Sequence, residues 1–125
     1  ASDTPDIDSG NAVKVGAGPV VGTYTFHGRG TLNGLIPHPR LLSLVEESAK
    51  SQKVDLQRHA TIGLLTDASY VQLVGEGVAC VDVAWPTRYT HSGVEVCSLD
   101  DLEQLKKLLI GVVEKFSPEE NFSRG

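Results

Sequence analysis

Methionine is absent from all 125 residues, even at position 1, where the chain begins "ASDTPDIDSG". A processed or excised piece of a longer polypeptide is the reading this suggests. Cysteine is nearly absent too. Cys80 lies in an apolar run and Cys97 near a helix start, and two such residues make neither a disulfide framework nor a CxxC metal site, so both are expected as reduced thiols. Basic charge is scarce, with 11 Lys and Arg against 16 Asp and Glu and a formal charge of −5. With no Lys/Arg cluster interleaved with aromatics, nucleic acid lacks its electrostatic footprint. No apolar run approaches the ~20 residues of a membrane span, and no basic-then-apolar leader is present, so neither membrane nor secretion is expected and the chain reads as cytoplasmic. Asn121-Phe122-Ser123 is then read as a chance match to the glycosylation pattern.

The familiar catalytic loops are missing as well. No serine has a G-x-S-x-G setting, and no glycine loop ends in Gly-Lys-Ser/Thr. "HGRGTLNG" (27 to 34) misses the dinucleotide fingerprint by one residue and lacks a helix directly behind it, which favours a flexible loop.

What is there alternates between two periods. Residues 1 to 12, rich in Asp, Ser, Gly and Pro, are expected to form an irregular opening segment, 13 to 116 the folded part of the chain, and 117 to 125 a polar, frayed tail. Val13 to Val15 and Val20 to Phe26 read as strands. Pro39 suits the first position of a helix ending near Gln52, with Leu41, Leu42, Leu44, Val45 and Ala49 largely on one side. Leu56, Ala60 and Ile62 alternate with Gln57, His59 and Thr61 as in a half-buried strand, interrupted by Arg58. Residues 66 to 77 start with cap-type residues and stop in glycines, predicting a short helix. "VACVDVAW" (78 to 85) is apolar on both parities except Asp82, the pattern of a central strand covered on both faces. Ser98 caps a closing helix whose stripe is Leu99, Leu102, Leu105, Leu108, Leu109, Val112, Val113 and Phe116. Strands alternating with amphipathic helices imply an α/β fold with partly parallel pairing.

Ligand sites in open α/β sheets gather at the carboxyl ends of strands. His91, six residues past Trp85, is placed to serve as a metal ligand or an acid or base there, against the plainer reading of a solvated surface histidine. Asp67 could face the same crevice or simply sit at a helix start. His27, His38 and His59 show no ligand spacing. The acidic pairs Glu46-Glu47, Asp100-Asp101 and Glu119-Glu120 read as solvated.

Residues 65 to 105, "LTDASYVQLVGEGVACVDVAWPTRYTHSGVEVCSLDDLEQL", resemble the C-terminal part of the glutamyl and deblocking aminopeptidases. These are two-metal peptidases that form tetrahedral dodecamers, some with an endoglucanase label. Pro86-Thr87-Arg88-Tyr89, His91-Ser92, Val94-Glu95 and Leu65-Thr66-Asp67-Ala68 carry the resemblance, with weaker matches at 2 to 5, 18 to 21 and 35 to 41. It implies a three-layer αβα sandwich on a mixed, mostly parallel sheet, of which this chain supplies the C-terminal portion. It also implies that His91 is the final ligand of a centre of two divalent metals, zinc or cobalt, with Thr66, Asp67, Arg88 and Tyr89 lining the site. The implied reaction is hydrolysis of N-terminal residues from peptides, in a homo-oligomer. Because the other ligands and the glutamate base come from an upstream segment of the same protein, the chain alone is expected to be inactive. The competing reading is a non-catalytic α/β binding or assembly module without metal.

Overall fold

The computed structural model describes residues 13–28 and 33–123. The expected opening segment, 1–12, the centre of the glycine loop, 29–32, and the last two residues of the expected tail, 124–125, therefore lie outside the described residues. The mixed α/β reading holds. Strand β1, Val20–Phe26, is the middle of the main sheet. It pairs in parallel with β3, Gln57–Ile62, and antiparallel with two short strands, β2, Gly34–Leu35, and β4, Val83–Ala84. The parallel ladder is the longest, running from Val20↔Gln57 to Phe26↔Ile62 with a bulge at Thr23.

Helix α1, Pro39–Gln52, forms the crossover between β1 and β3 and has the predicted bounds. Proline at its start lacks the N–H that would go unused there, and Lys53 in left-handed backbone closes it by donating to Ala49. Helix α3, Leu99–Lys115, starts where Ser98 Oγ accepts the Asp101 N–H, at 3.4 Å. The two helices pack together, and Ser48 Oγ donates to the Leu108 carbonyl at 3.1 Å. Val21, Val45, Ala49, Val54, Leu105 and Leu108 make the core. The remaining helix, α2, Ala68–Val71, is four residues long, so a second helical layer is not formed among the described residues.

Several expectations are corrected. Val13–Val15 is no strand: Ala17 N donates back to Lys14 O in a turn, and side chains from elsewhere fix this stretch. Asp101, fully buried, accepts from Gly16 N at 2.7 Å and Gly18 N at 2.8 Å, so its carboxylate is a staple and not a solvated charge. The amide of Gln57 bonds Lys14 N and O and Gly18 O. That anchor sets the phase of β3 opposite to the expected one. Gln57, His59 and Thr61 are half-buried, while Ala60 and Ile62, 78% exposed, face outward with Arg58, which pairs with Glu46 of α1. Burial holds the His59 imidazole below the usual histidine pKa.

The helix predicted over 66–77 shrinks to α2 followed by turns. The run 78–85 is strand only at Val83–Ala84 and is paired on one side, where Asp82 O accepts from Gly22 N and Cys80 O from His38 N. The α3 stripe splits. Leu105 and Leu108 are buried, whereas Leu99, Leu109, Val113 and Phe116 are exposed, because α1 touches only one flank of the helix.

The tail through Ser123 is docked rather than frayed. Glu120 receives two bonds of 2.6 Å from Arg40, and Phe122 packs between His38 and Phe116. Hydrogen bonding from Arg40 holds the Glu120 carboxyl below its ordinary pKa and raises that of the guanidinium. A depressed carboxyl stabilises the docked tail above its unfolded pKa of about 4.3 and loses that contribution as pH falls through the lower native value. With the three phenylalanines fluorine-labelled, the Phe122 resonance is expected to move toward the position of a solvated ring as acidification protonates the Glu120 carboxyl. A Phe122 resonance that stays put once that carboxyl is protonated contradicts this.

Candidate metal-donor hairpin

Past Trp85 the chain turns into a small antiparallel hairpin, β5, Thr87–Arg88, with β6, Val96–Cys97, in the register Thr87↔Cys97 and Arg88↔Val96. Pro86 is buried at its base and cannot extend the β4 ladder as a donor, which ends that strand where the hairpin begins. The hairpin carries Arg88, Tyr89 and His91. His91 sits exposed in the connecting loop, 89 to 95, and its ring has no hydrogen-bond partner among the described residues. Tyr89 and His91 both adopt left-handed backbone, with φ of 61° and 65°. Glu95 Oε1 accepts the His91 N–H at 2.7 Å, and Ser92 Oγ donates to Val94 O at 2.6 Å. Sequence reasoning had given Glu95 no role, though its spacing of four from His91 across a turn was a usable signal.

The direction of β4 corrects the expected placement. Because β4 runs antiparallel to β1, with Val20↔Ala84, its exit lies beside the amino end of β1 and not at the carboxyl ends of β1 and β3. The hairpin that carries His91 therefore leaves the main sheet beside the amino end of β1.

The other candidates lie elsewhere. Thr66 donates to the Asp82 carboxylate at 2.9 and 3.1 Å, which ties the loop after β3 to the thread preceding β4. Asp67 is exposed at the start of α2, where its side chain makes no capping bond and only its carbonyl accepts from Tyr70 and Val71. An open cavity of about 1060 Å³ does lie at the carboxyl end of β1, lined by Tyr24, Phe26, Ile36, His38, Gln72 and Phe122, but by none of the predicted site residues.

Among the described residues no group of three or more His, Cys, Asp or Glu side chains could hold a metal. An exposed, unpartnered imidazole fits one donor position, whereas a catalytic zinc takes three protein ligands and a two-metal centre more. The residues described therefore fit a single ligand and not a complete centre. Cys80, buried, and Cys97, exposed, form no disulfide, and no helix among the described residues is long and apolar enough to cross a membrane.

Comparison with known proteins agrees with the resemblance read from the "PTRYTHS" region. The chain is 39% identical over 107 residues to SgcX of Escherichia coli K12, a protein assigned as an aminopeptidase, covering 86% of this chain and 29% of that protein. Aminopeptidase APDkam598 from the archaeon Desulfurococcus kamchatkensis superposes with a TM-score of 0.86 at 32% identity, over 95% of this chain and 32% of that one. PhTET1-12s, solved as a dodecamer, superposes with a TM-score of 0.68 at 30% identity, over 83% of this chain and 29% of that one. The chain thus spans roughly a third or less of the length of these relatives. Residues 1–108 match the model of the M42 glutamyl aminopeptidases, and the chain belongs to that family.

Proposed function

We propose that these residues are the C-terminal part of the catalytic domain of a metal-dependent aminopeptidase, in which His91 is one metal donor and the remaining donors come from polypeptide outside residues 1–125. The observation that carries this is the bare imidazole of His91, raised on a bonded hairpin inside the region that matches the family. Zinc or cobalt would supply Lewis acidity and an activated water. The contribution derived for this chain is limited to presenting an imidazole from a fixed loop. Arg88 and Tyr89 on the same hairpin are proposed to line one crevice with Thr66 and Asp67, whose loop the Thr66–Asp82 bonds tie to the thread leading into β4.

The open side of residues 78–84 supports completion by another segment. This run is apolar on both parities except at Asp82, yet no strand pairs its outer side among the described residues, and Val78 and the Trp85 that follows the run are 43% and 45% exposed. Apolar runs of this kind belong inside sheets, since open apolar edges invite pairing. The exposed Leu109, Ile110 and Val113 of α3 similarly support burial in an assembly, a homo-oligomer like that of PhTET1-12s. A cytoplasmic location completes the reading, supported by cysteines outside any disulfide.

A non-catalytic binding or assembly module is the competing reading, favoured by the single donor among the described residues. Chelation separates the two. The complete protein is expected to hydrolyse an aminoacyl-anilide, to lose that activity on treatment with 1,10-phenanthroline, and to regain it with added zinc or cobalt. No hydrolysis under any metal loading, or hydrolysis indifferent to the chelator, contradicts the metalloaminopeptidase reading.

A further inference from the structure

We infer that Glu95 is the positioning residue that fixes the backbone from which His91 presents its imidazole, an inference that rests on the reading of His91 as a metal donor. The hairpin tip holds Tyr89 and His91 in left-handed backbone, at φ 61° and 65°. That region places Cβ close to the following carbonyl oxygen and is disfavoured for every residue with a side chain. Two such residues in three positions would relax toward extended backbone unless something else held them.

The short ladder of β5 and β6 reaches only to Arg88↔Val96, so it fixes neither Tyr89 nor His91. The Ser92 hydroxyl spans only to Val94. Among the described residues Glu95 alone ties the histidine itself: its Oε1 takes the His91 N–H at 2.7 Å, closing the loop across four residues. An ionised acceptor on a backbone N–H is a stronger bond than a neutral one, which suits an exposed loop where water competes. With that bond in place the Cα–Cβ direction of His91 is set before any ion arrives. Metal affinity then carries no cost for ordering the loop, which is the general advantage of a prepared ligand.

The test uses the complete protein and three variants, with zinc affinity read by competition against a chromophoric chelator. Two readouts on the metal-free proteins accompany it: thermal unfolding, and hydrogen exchange of a peptide spanning 86 to 97. Glu95→Ala is expected to weaken zinc binding by about 10- to 100-fold, as loss of an outer hydrogen-bond partner of a ligand does, to speed exchange in the hairpin peptide, and to leave the metal-free melting temperature within about 2 °C. Glu95→Gln retains an oxygen acceptor at the same reach and is expected to stay within about threefold of wild type. His91→Ala serves as the reference for complete loss of the donor.

Wild-type zinc affinity in Glu95→Ala, alongside clear loss in His91→Ala, overturns the role of Glu95 while leaving His91 as a donor. A large fall in the metal-free melting temperature of Glu95→Ala also overturns it, because the residue would then be holding the fold at large. Unchanged zinc affinity in His91→Ala removes the reading of His91 and this inference with it.

Discussion

His91→Ala in the complete protein is expected to bring aminoacyl-anilide hydrolysis to background and to weaken zinc binding by more than the 10- to 100-fold that loss of an outer partner costs, so by more than about 100-fold. The argument is one of donor number. Catalytic zinc holds three protein ligands and an open position, and a two-metal site shares its ligands between ions. Removing an imidazole leaves an alanine methyl that cannot coordinate, and the loop offers no substitute: Arg88 is a cation, Glu95 is engaged with the His91 backbone, and the Cys97 thiol stands at the base of the hairpin opposite Thr87. The same substitution is expected to leave thermal stability of the metal-free protein nearly unchanged, because the side chain is exposed and its ring bonds nothing among the described residues. Activity measured beside a melting curve separates loss of a ligand from loss of the fold. Retained hydrolysis in a well-folded His91→Ala protein contradicts the assignment.

Gly18→Ala is expected to have the largest effect on stability. Gly18 has φ +93°, and a Cβ placed there would stand 1.8 Å from the Asp55 carbonyl oxygen and 3.2 Å from the Asp55 Cβ. Neither neighbour is a flexible tip that can move aside. Relief requires shifting the 14–19 loop away from Asp55, just ahead of β3, which breaks the 2.8 Å bond from Gly18 N to Asp101 and the 2.8 Å bond from Gln57 to Gly18 O. Asp101 is fully buried, and depriving such a carboxylate of its donors costs about 3–5 kcal/mol, with left-handed backbone adding about 1–2 kcal/mol. Against a typical total of about 5–15 kcal/mol, a loss of that size removes most or all of the folded population. At the usual unfolding entropy per residue it corresponds to roughly 20 °C in Tm. Gly16→Ala is the matched comparison. Gly16 has φ +85° and also donates to Asp101, but open space where a Cβ would lie, so only the backbone cost of about 1–2 kcal/mol is expected. Circular-dichroism melts of the two variants decide it, and a Gly18→Ala protein melting within a few degrees of wild type contradicts the account.

The elements legible in the sequence were those whose ends are set by local chemistry. Pro39 opens α1 and Ser98 caps α3, and both helices run as expected. Features set by distant side chains were not legible. Nothing near Gln57 announces that its amide will reach the 14–18 loop, yet that contact decides which parity of β3 faces inward. Asp101 reads locally as a helix-start carboxylate, and only the approach of Gly16 and Gly18 makes it the most buried charge among the described residues. Tyr70, Leu73 and Val74 have the spacing of a helix face but are exposed, so no packing extends α2 beyond one turn.

The candidate site divides in the same way. The chemistry of His91 and the family resemblance were readable from "PTRYTHS". Its position was not, because the direction of β4 relative to β1 is a property of sheet pairing and not of the run "VACVDVAW". Applying the rule that sites lie at carboxyl ends needed a parallel strand, and β4 pairs antiparallel. In a larger sheet, a further strand on the open side of 78–84 can restore that relation with polypeptide outside these residues.

The most direct test is the position of the metal in crystals of the complete protein, located by anomalous scattering at the zinc edge. The account predicts a zinc ion about 2.0–2.1 Å from a ring nitrogen of His91, with the other ligand atoms supplied from outside residues 1–125. A fully ligated zinc centre elsewhere in the molecule, with the His91 imidazole facing solvent, would contradict it.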